Sequence, residues 1–185
     1  MMTDDCGLEL KFTRLGDEVC VTDGTVIAGY ASLFGVTDQG GDVVLPGAYG
    51  AGLKRLSARG GSVKMLWQHD PAQPIGVWDE IREDERGLWV KGRLLPEIER
   101  AREAAALIGA GAIDGLSIGY RTVAAEKNAK GQRLLAELEL WEVSVVTFPM
   151  LAQARVGAKG DAPEVTELRE LAAALADAAR MLADR

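Results

Sequence analysis

His69 is the only histidine in this chain of 185 residues, and an imidazole is the side chain best suited to moving protons near neutral pH. It follows an apolar run ending at Trp67 and precedes Asp70–Pro71. That context puts it where a buried strand emerges into a loop, on a rigid support. A lone histidine can equally be structural, so its meaning depends on what faces it. Ser117, in "DGLSIGY", is the candidate nucleophile. Gly115 and Gly119 flank it, leaving little bulk to block an approaching acyl group. A serine hydroxyl attacks an acyl carbon only when a base takes its proton, so the pair points to acyl transfer. The plainer reading is a strand serine with glycine neighbours, which is common.

The string G-L-S-I-G matches the G-x-S-x-G of hydrolase nucleophile elbows, but the match is misleading. An elbow needs a strand before the serine and a helix after it; here the helix pattern precedes and the strand pattern follows. A third group should orient the imidazole and stabilise its charged form, usually a carboxylate. Asp70, Asp114, Glu139 and Glu142 are the candidates. Asp70 and Asp114 lie close in sequence to His69 and Ser117, and such neighbours rarely point at one another productively. Glu142 interrupts the apolar stretch "LWEVSVVTF". A carboxylate there needs a partner or it is costly; an imidazole or an arginine would serve.

The elements that must position these residues read as follows. Residues 7–12 alternate apolar and polar as a short strand, and residues 25–33 form a second. "VTDQGGDVVLPG" reads as a Gly-rich loop and 48–58 as a helix ending at Gly60–Gly61. "SVKMLWQHD" reads as a strand broken by Pro71 and Pro74. "IGVWDEIRED" and "GLWVKGRLL" form a hairpin around residues 85–87. Proline at 96, acids in the first turn and Gly111 beyond its end mark a helix from 96 to the residues before 111. Strand patterns at 115–125 and 134–148 are joined by a polar turn at 127–131. Residues 157–163 have linker composition, and Leu168, Leu171, Leu175, Ala178 and Leu182 make one stripe on a helix over 164–185. These signs add up to an α+β domain with an antiparallel sheet or barrel and a helical tail.

Composition narrows the function. Hydrophobic residues are 48% and charged residues 26%, ordinary for a globular domain. A net charge of −7 without any dense Lys/Arg run argues against nucleic-acid binding. No apolar run approaches the roughly 20 residues of a membrane span, and the first ten residues do not read as a signal peptide. Cys6 and Cys20 lack CxxC spacing and histidine neighbours, so neither a zinc site nor another metal is expected, and the chemistry above needs no cofactor.

Five segments in order, "AGYASLFG", "GDVVLPGAY", "KMLWQHDPAQPIG", "GLSIGY" and "LWEVSVVTFPML", resemble the prohead serine proteases of tailed bacteriophages. These are capsid-maturation enzymes related in fold to the herpesvirus assemblins. The resemblance covers about residues 8–156 and implies a mainly antiparallel β-barrel with surrounding helices. It places the family's histidine on His69 and its serine on Ser117. In assemblins the third member is a second histidine on the strand after the serine. This chain has none, and Glu142 occupies the corresponding strand, so the expected site is His69, Ser117 and Glu142, or a dyad. Where the family often has "FPANP" this chain has "FPMLAQA", a change in a loop near the site. Arg155, shortly after, is a candidate to help an oxyanion hole through a bound water or its backbone.

With the resemblance, the chain divides into a protease domain at 1–156, the linker at 157–163 and the tail at 164–185 read above. The resemblance implies a serine endopeptidase acting in the host cytoplasm inside an assembling prohead of a phage or a phage-derived particle. Expected partners are the major capsid protein with its scaffolding segment, the chain itself through autoprocessing, and further copies in a homo-oligomer. The tail would bind scaffold, be trimmed off, or pack on its own barrel. The rival readings are a catalytically silent assembly protein of the same fold and another acyl hydrolase.

Overall fold

A computed structural model describes residues 9–13, 20–22, 24–148 and 157–158, with side chains from Gly24 to Phe148. Their elements in chain order are β1 (Glu9–Thr13), β2 (Cys20–Thr22), β3 (Val26–Leu33), β4 (Asp42–Val44), α1 (Gly50–Ala58), β5 (Lys64–Trp67) and β6 (Asp70–Glu83), followed by β7 (Gly87–Leu94), α2 (Glu99–Gly109), β8 (Gly115–Lys127), β9 (Arg133–Val146) and β10 (Gly157–Ala158). The strands join in the order β1-β8-β9-β5-β6-β7-β3-β2-β10, with β4 paired separately to β9. The pairs β5–β9, β4–β9 and β2–β10 are parallel and the others antiparallel.

The sheet is the frame of the molecule, and β9 is its hub. Over 14 residues β9 meets β8 along one edge and β4 and then β5 along the other. Leu116, Ile118, Val143 and Val145 alternate into the core with Met65 of β5, all essentially buried. This period-two alternation sends the intervening residues to the opposite face. The sheet curls so that β3 also approaches β1 and β8. Among the described residues its two ends are not hydrogen-bonded to each other, so the architecture is a strand-dominated α+β half-barrel with two helices, within the expected α+β class of an antiparallel sheet or barrel.

The helices have clear local causes. α1 lies on β9 where Gly52 permits close approach: a Cβ there would stand 3.3 Å from the Leu138 carbonyl carbon. Glu83 of β6 accepts from the Tyr49 N–H at 3.2 Å and from the Gly47 N–H, holding a carboxylate at the helix N-terminus. α2 begins after Pro96 and ends at Gly109, with Gly111 just beyond it at a φ of 69° that suits a C-terminal cap; the Ala112 N–H reaches the Leu107 carbonyl at 2.9 Å.

Two local readings differ from the structure. The Gly-rich stretch hides β4, three residues whose pairing with β9 is non-local. And β6 starts at Asp70 and runs through Pro71 and Pro74, with register shifts against β5 around Leu66; bulges are among the places where a strand tolerates proline. The start of the segment read as a linker, Gly157–Ala158, forms β10 against β2. Cys6, Arg155, the rest of that segment and the tail lie outside the described residues. No helix among the described residues is long and apolar enough to cross a membrane.

Candidate active site

Ser117 is the third residue of β8 and pairs directly with Ser144 of β9; Gly119 pairs with Glu142. Residues two apart on a strand share a face, so Ser117, Gly119, Glu142 and Ser144 all project away from the core residues between them. β5 runs parallel to β9 on the other side, with Leu66 opposite Ser144 and Trp67 opposite Val145. It ends in a two-residue turn, Gln68–His69, that swings the imidazole back over the face carrying Ser117 and Glu142.

That turn is demanding. Gln68 has φ 52° and His69 φ 62°, and positive φ at both central positions is the mark of a type I′ hairpin, usually filled by Asn-Gly. Without glycine each such residue costs about 1–2 kcal/mol. Contacts to β9 offset that cost. The Gln68 N–H donates to the Val145 carbonyl at 3.0 Å. Its side-chain amide brackets Thr147, donating to Oγ1 at 2.6 Å and accepting from the backbone N–H at 3.3 Å. The His69 N–H donates to Ser144 Oγ at 3.2 Å.

The imidazole then lies between two partners. Its Nδ1 meets Glu142 Oε1, and its Nε2 lies 2.6 Å from Ser117 Oγ. A carboxylate only accepts, which assigns the proton to Nδ1 and leaves Nε2 bare to accept from the Ser117 hydroxyl. The other Glu142 oxygen, Oε2, accepts from Ser144 Oγ. Ser117 and Ser144 are fully buried, Glu142 nearly so, and the His69 side chain is 10% exposed. In such a setting each hydrogen bond is stronger than in water, and an unpaired group would be costly.

Two of the other carboxylates weighed from sequence, Asp70 and Glu139, have partners elsewhere. Asp70 accepts from the Ala72 N–H and from Gln73 Nε2 at 2.8 and 2.7 Å. Glu139 pairs with Arg121 at 2.6 Å, and that guanidinium, the main influence, holds its carboxyl below the usual range. Asp114 lies ahead of β8 on the connection from α2. The partner of Glu142 is thus the imidazole and not an arginine.

Gly119 acquires a different meaning from the one its position suggested. A Cβ on it would stand 2.8 Å from both Cγ and Cδ of Glu142, so its bareness accommodates the carboxylate instead of an incoming substrate. Ser144 was not singled out in the sequence. The available signal was the matching i, i+2 pattern of Ser117–Gly119 on one strand and Glu142–Ser144 on the next, which gains meaning only once the register is known. No elbow exists at Ser117, which sits inside a continuing strand with α2 before it.

A serine, an imidazole and a carboxylate in hydrogen-bonded series on a curled α+β sheet form the arrangement that acyl-transfer enzymes use. Comparison with known proteins gives the particular family. The chain belongs to the caudovirus prohead serine protease family, whose sequence profile matches residues 13–168. It is 32% identical over 166 residues to the prohead protease of Enterobacteria phage HK97, a match covering 88% of this chain and 70% of that one. The bacteriophage T4 capsid assembly protease shares the fold, with a TM-score of 0.57 at 15% identity over 83% of this chain and 98% of that chain. The function of the chain is therefore that of a capsid-maturation protease.

Proposed function

We propose that the chain is a serine endopeptidase in which Ser117 is the nucleophile, His69 the general base and Glu142 the group that orients and charges the imidazole. The observation that carries this reading is the unbroken path from Ser117 Oγ through both ring nitrogens of His69 to Glu142. His69 Nε2 takes the hydroxyl proton as Oγ bonds to the peptide carbonyl carbon, and the imidazolium returns it to the departing amine as the C–N bond breaks. Water then attacks the acyl carbon while giving a proton to His69, and as the bond to Oγ breaks the imidazolium returns that proton to Ser117 Oγ, releasing the carboxylic acid and free Ser117. Backbone amides near the site hold the developing oxyanion, each worth about 10²-fold in rate. Because Ser117 has no exposed surface, a peptide reaches Oγ only by displacing what packs over it.

The substrates proposed are the scaffolding segment of the major capsid protein, other internal prohead proteins and the protease itself, cleaved inside the assembling prohead. Family membership supports this assignment, as does the name of the phage HK97 relative. The barrel architecture of herpesvirus assemblins is the matching proposal for the complete fold. The test is co-expression with the neighbouring capsid protein, followed by mass determination of the products. Fixed-site fragments from the wild type and intact precursor from Ser117→Ala are expected. Cleavage by a folded Ser117→Ala would overturn the nucleophile assignment, while a wild type that hydrolyses simple esters and never the capsid protein would overturn the substrate assignment.

A further inference from the structure

Ser144 is the one polar residue of this cluster that the mechanism leaves without a task. Its hydroxyl has one proton and two lone pairs, and two neighbours claim them. The proton goes to Glu142 Oε2, and a lone pair accepts the His69 N–H at 3.2 Å. In a two-residue type I′ turn the N–H of the second central residue has no partner within the hairpin, so Ser144 satisfies a donor that the turn leaves over. The same oxygen therefore grips the backbone of His69 while its proton holds the carboxylate that grips the ring.

We propose that Ser144 is a positioning residue of the Ser117–His69–Glu142 array, fixing the Glu142 carboxylate and the His69 backbone in one mutual arrangement. The inference rests on that reading of the site. Three features support it beyond the contacts themselves. Ser144 is fully buried, where a hydroxyl is tolerated only with its bonds made. It stands directly opposite Ser117 in the β8–β9 ladder, yet its proton is committed to Oε2, so it does not compete with Ser117 for Nε2. And its bond at Oε2 leaves Oε1 facing Nδ1–H, which fixes the carboxylate oxygen that the ring meets.

The test compares Ser144→Ala with wild type on a peptide spanning a mapped cleavage site, alongside Ser117→Ala and His69→Ala. A misplaced imidazole should lower kcat by about 10- to 100-fold with KM changed less than about twofold. The pH–rate profile should change shape as well, because the ring that takes the proton is no longer held in one place. Should the alanine variant not fold, Ser144→Cys, with a weak donor of similar shape, takes its place with the same expected direction. Since His69 is the only histidine, imidazole-labelled NMR in the Ser117→Ala background checks the point without turnover. One tautomer, protonated at Nδ1, is expected with Ser144 present and a mixture without it. A folded Ser144 variant with wild-type kcat and pH profile, or activity lost only in proportion to folded protein, would overturn the proposal. If instead Ser117→Ala still cleaved, the underlying triad would be what failed.

Discussion

Glu142 brings a carboxylate into a place almost without water, and both of its oxygens meet donors there: Oε1 the His69 ring, Oε2 the Ser144 hydroxyl. Removing its charge leaves the imidazole in place but without its counter-ion. Glu142→Gln should therefore lower kcat/KM on a mapped peptide, yet less than His69→Ala, which removes the proposed general base, a group worth roughly 10²–10⁴-fold in such a role. A fully active glutamine variant would reduce Glu142 to a structural role. Gly119→Ala makes a second residue-scale test. Its new Cβ would crowd Glu142 Cγ and Cδ at 2.8 Å, so kcat should fall by about 10- to 100-fold with KM little changed; wild-type turnover would show that the carboxylate yields freely. His69 and Ser117 were legible in the sequence because a single histidine and a serine in a family-like segment stand out by type. Ser144 and Gly119 were not, because a serine or glycine in a strand is ordinary and only the pairing with Ser117 and Glu142 gives it a task.

The turn after β5 shows how an element can serve a site at a local cost. Two non-glycine residues at positive φ are accepted because Gln68 and His69 are tied to Val145 and Ser144 of β9 and to Thr147 just past its end. Sequence reading found the strand before His69 but took Pro71 and Pro74 as breaks, since proline removes a ladder donor; the bulged pairing of β5 with β6 is what admits them. β4 escaped for the opposite reason, being too short and too dependent on a distant partner to leave a periodic signal. The β6–β7 turn carries its own electrostatic device. Burial pushes the Asp84 carboxyl up, but the Tyr30 hydroxyl, the Arg86 and Gly87 amides and the Arg82 guanidinium together outweigh it and hold it below the ordinary carboxylate value. A depressed carboxyl adds stability above its unfolded pKa and loses it as pH falls through the folded one. Asp84→Ala should thus cost about 1–2 kcal/mol at neutral pH, and the gap to wild type should close in acid. Urea unfolding of both at a series of pH values checks this; a pH-independent gap would contradict it.

At the scale of the whole molecule, the curled sheet brings three distant parts of the chain together: the turn after β5, the start of β8 and the middle of β9. The fold class was legible because strand and helix periodicities are local. The absence of a hydrogen-bonded closure among the described strands was not, because it depends on long-range pairing. The central claim is that this framework exists to make Ser117 a nucleophile toward a peptide bond. The most direct measurement is the mass spectrum of a co-expressed capsid protein with wild-type protease and with Ser117→Ala, whose folding is confirmed by its thermal midpoint. The account predicts two complementary fragments, joined at one fixed site, with the wild type and only the intact precursor with the variant. The same fragments from a folded Ser117→Ala would contradict it.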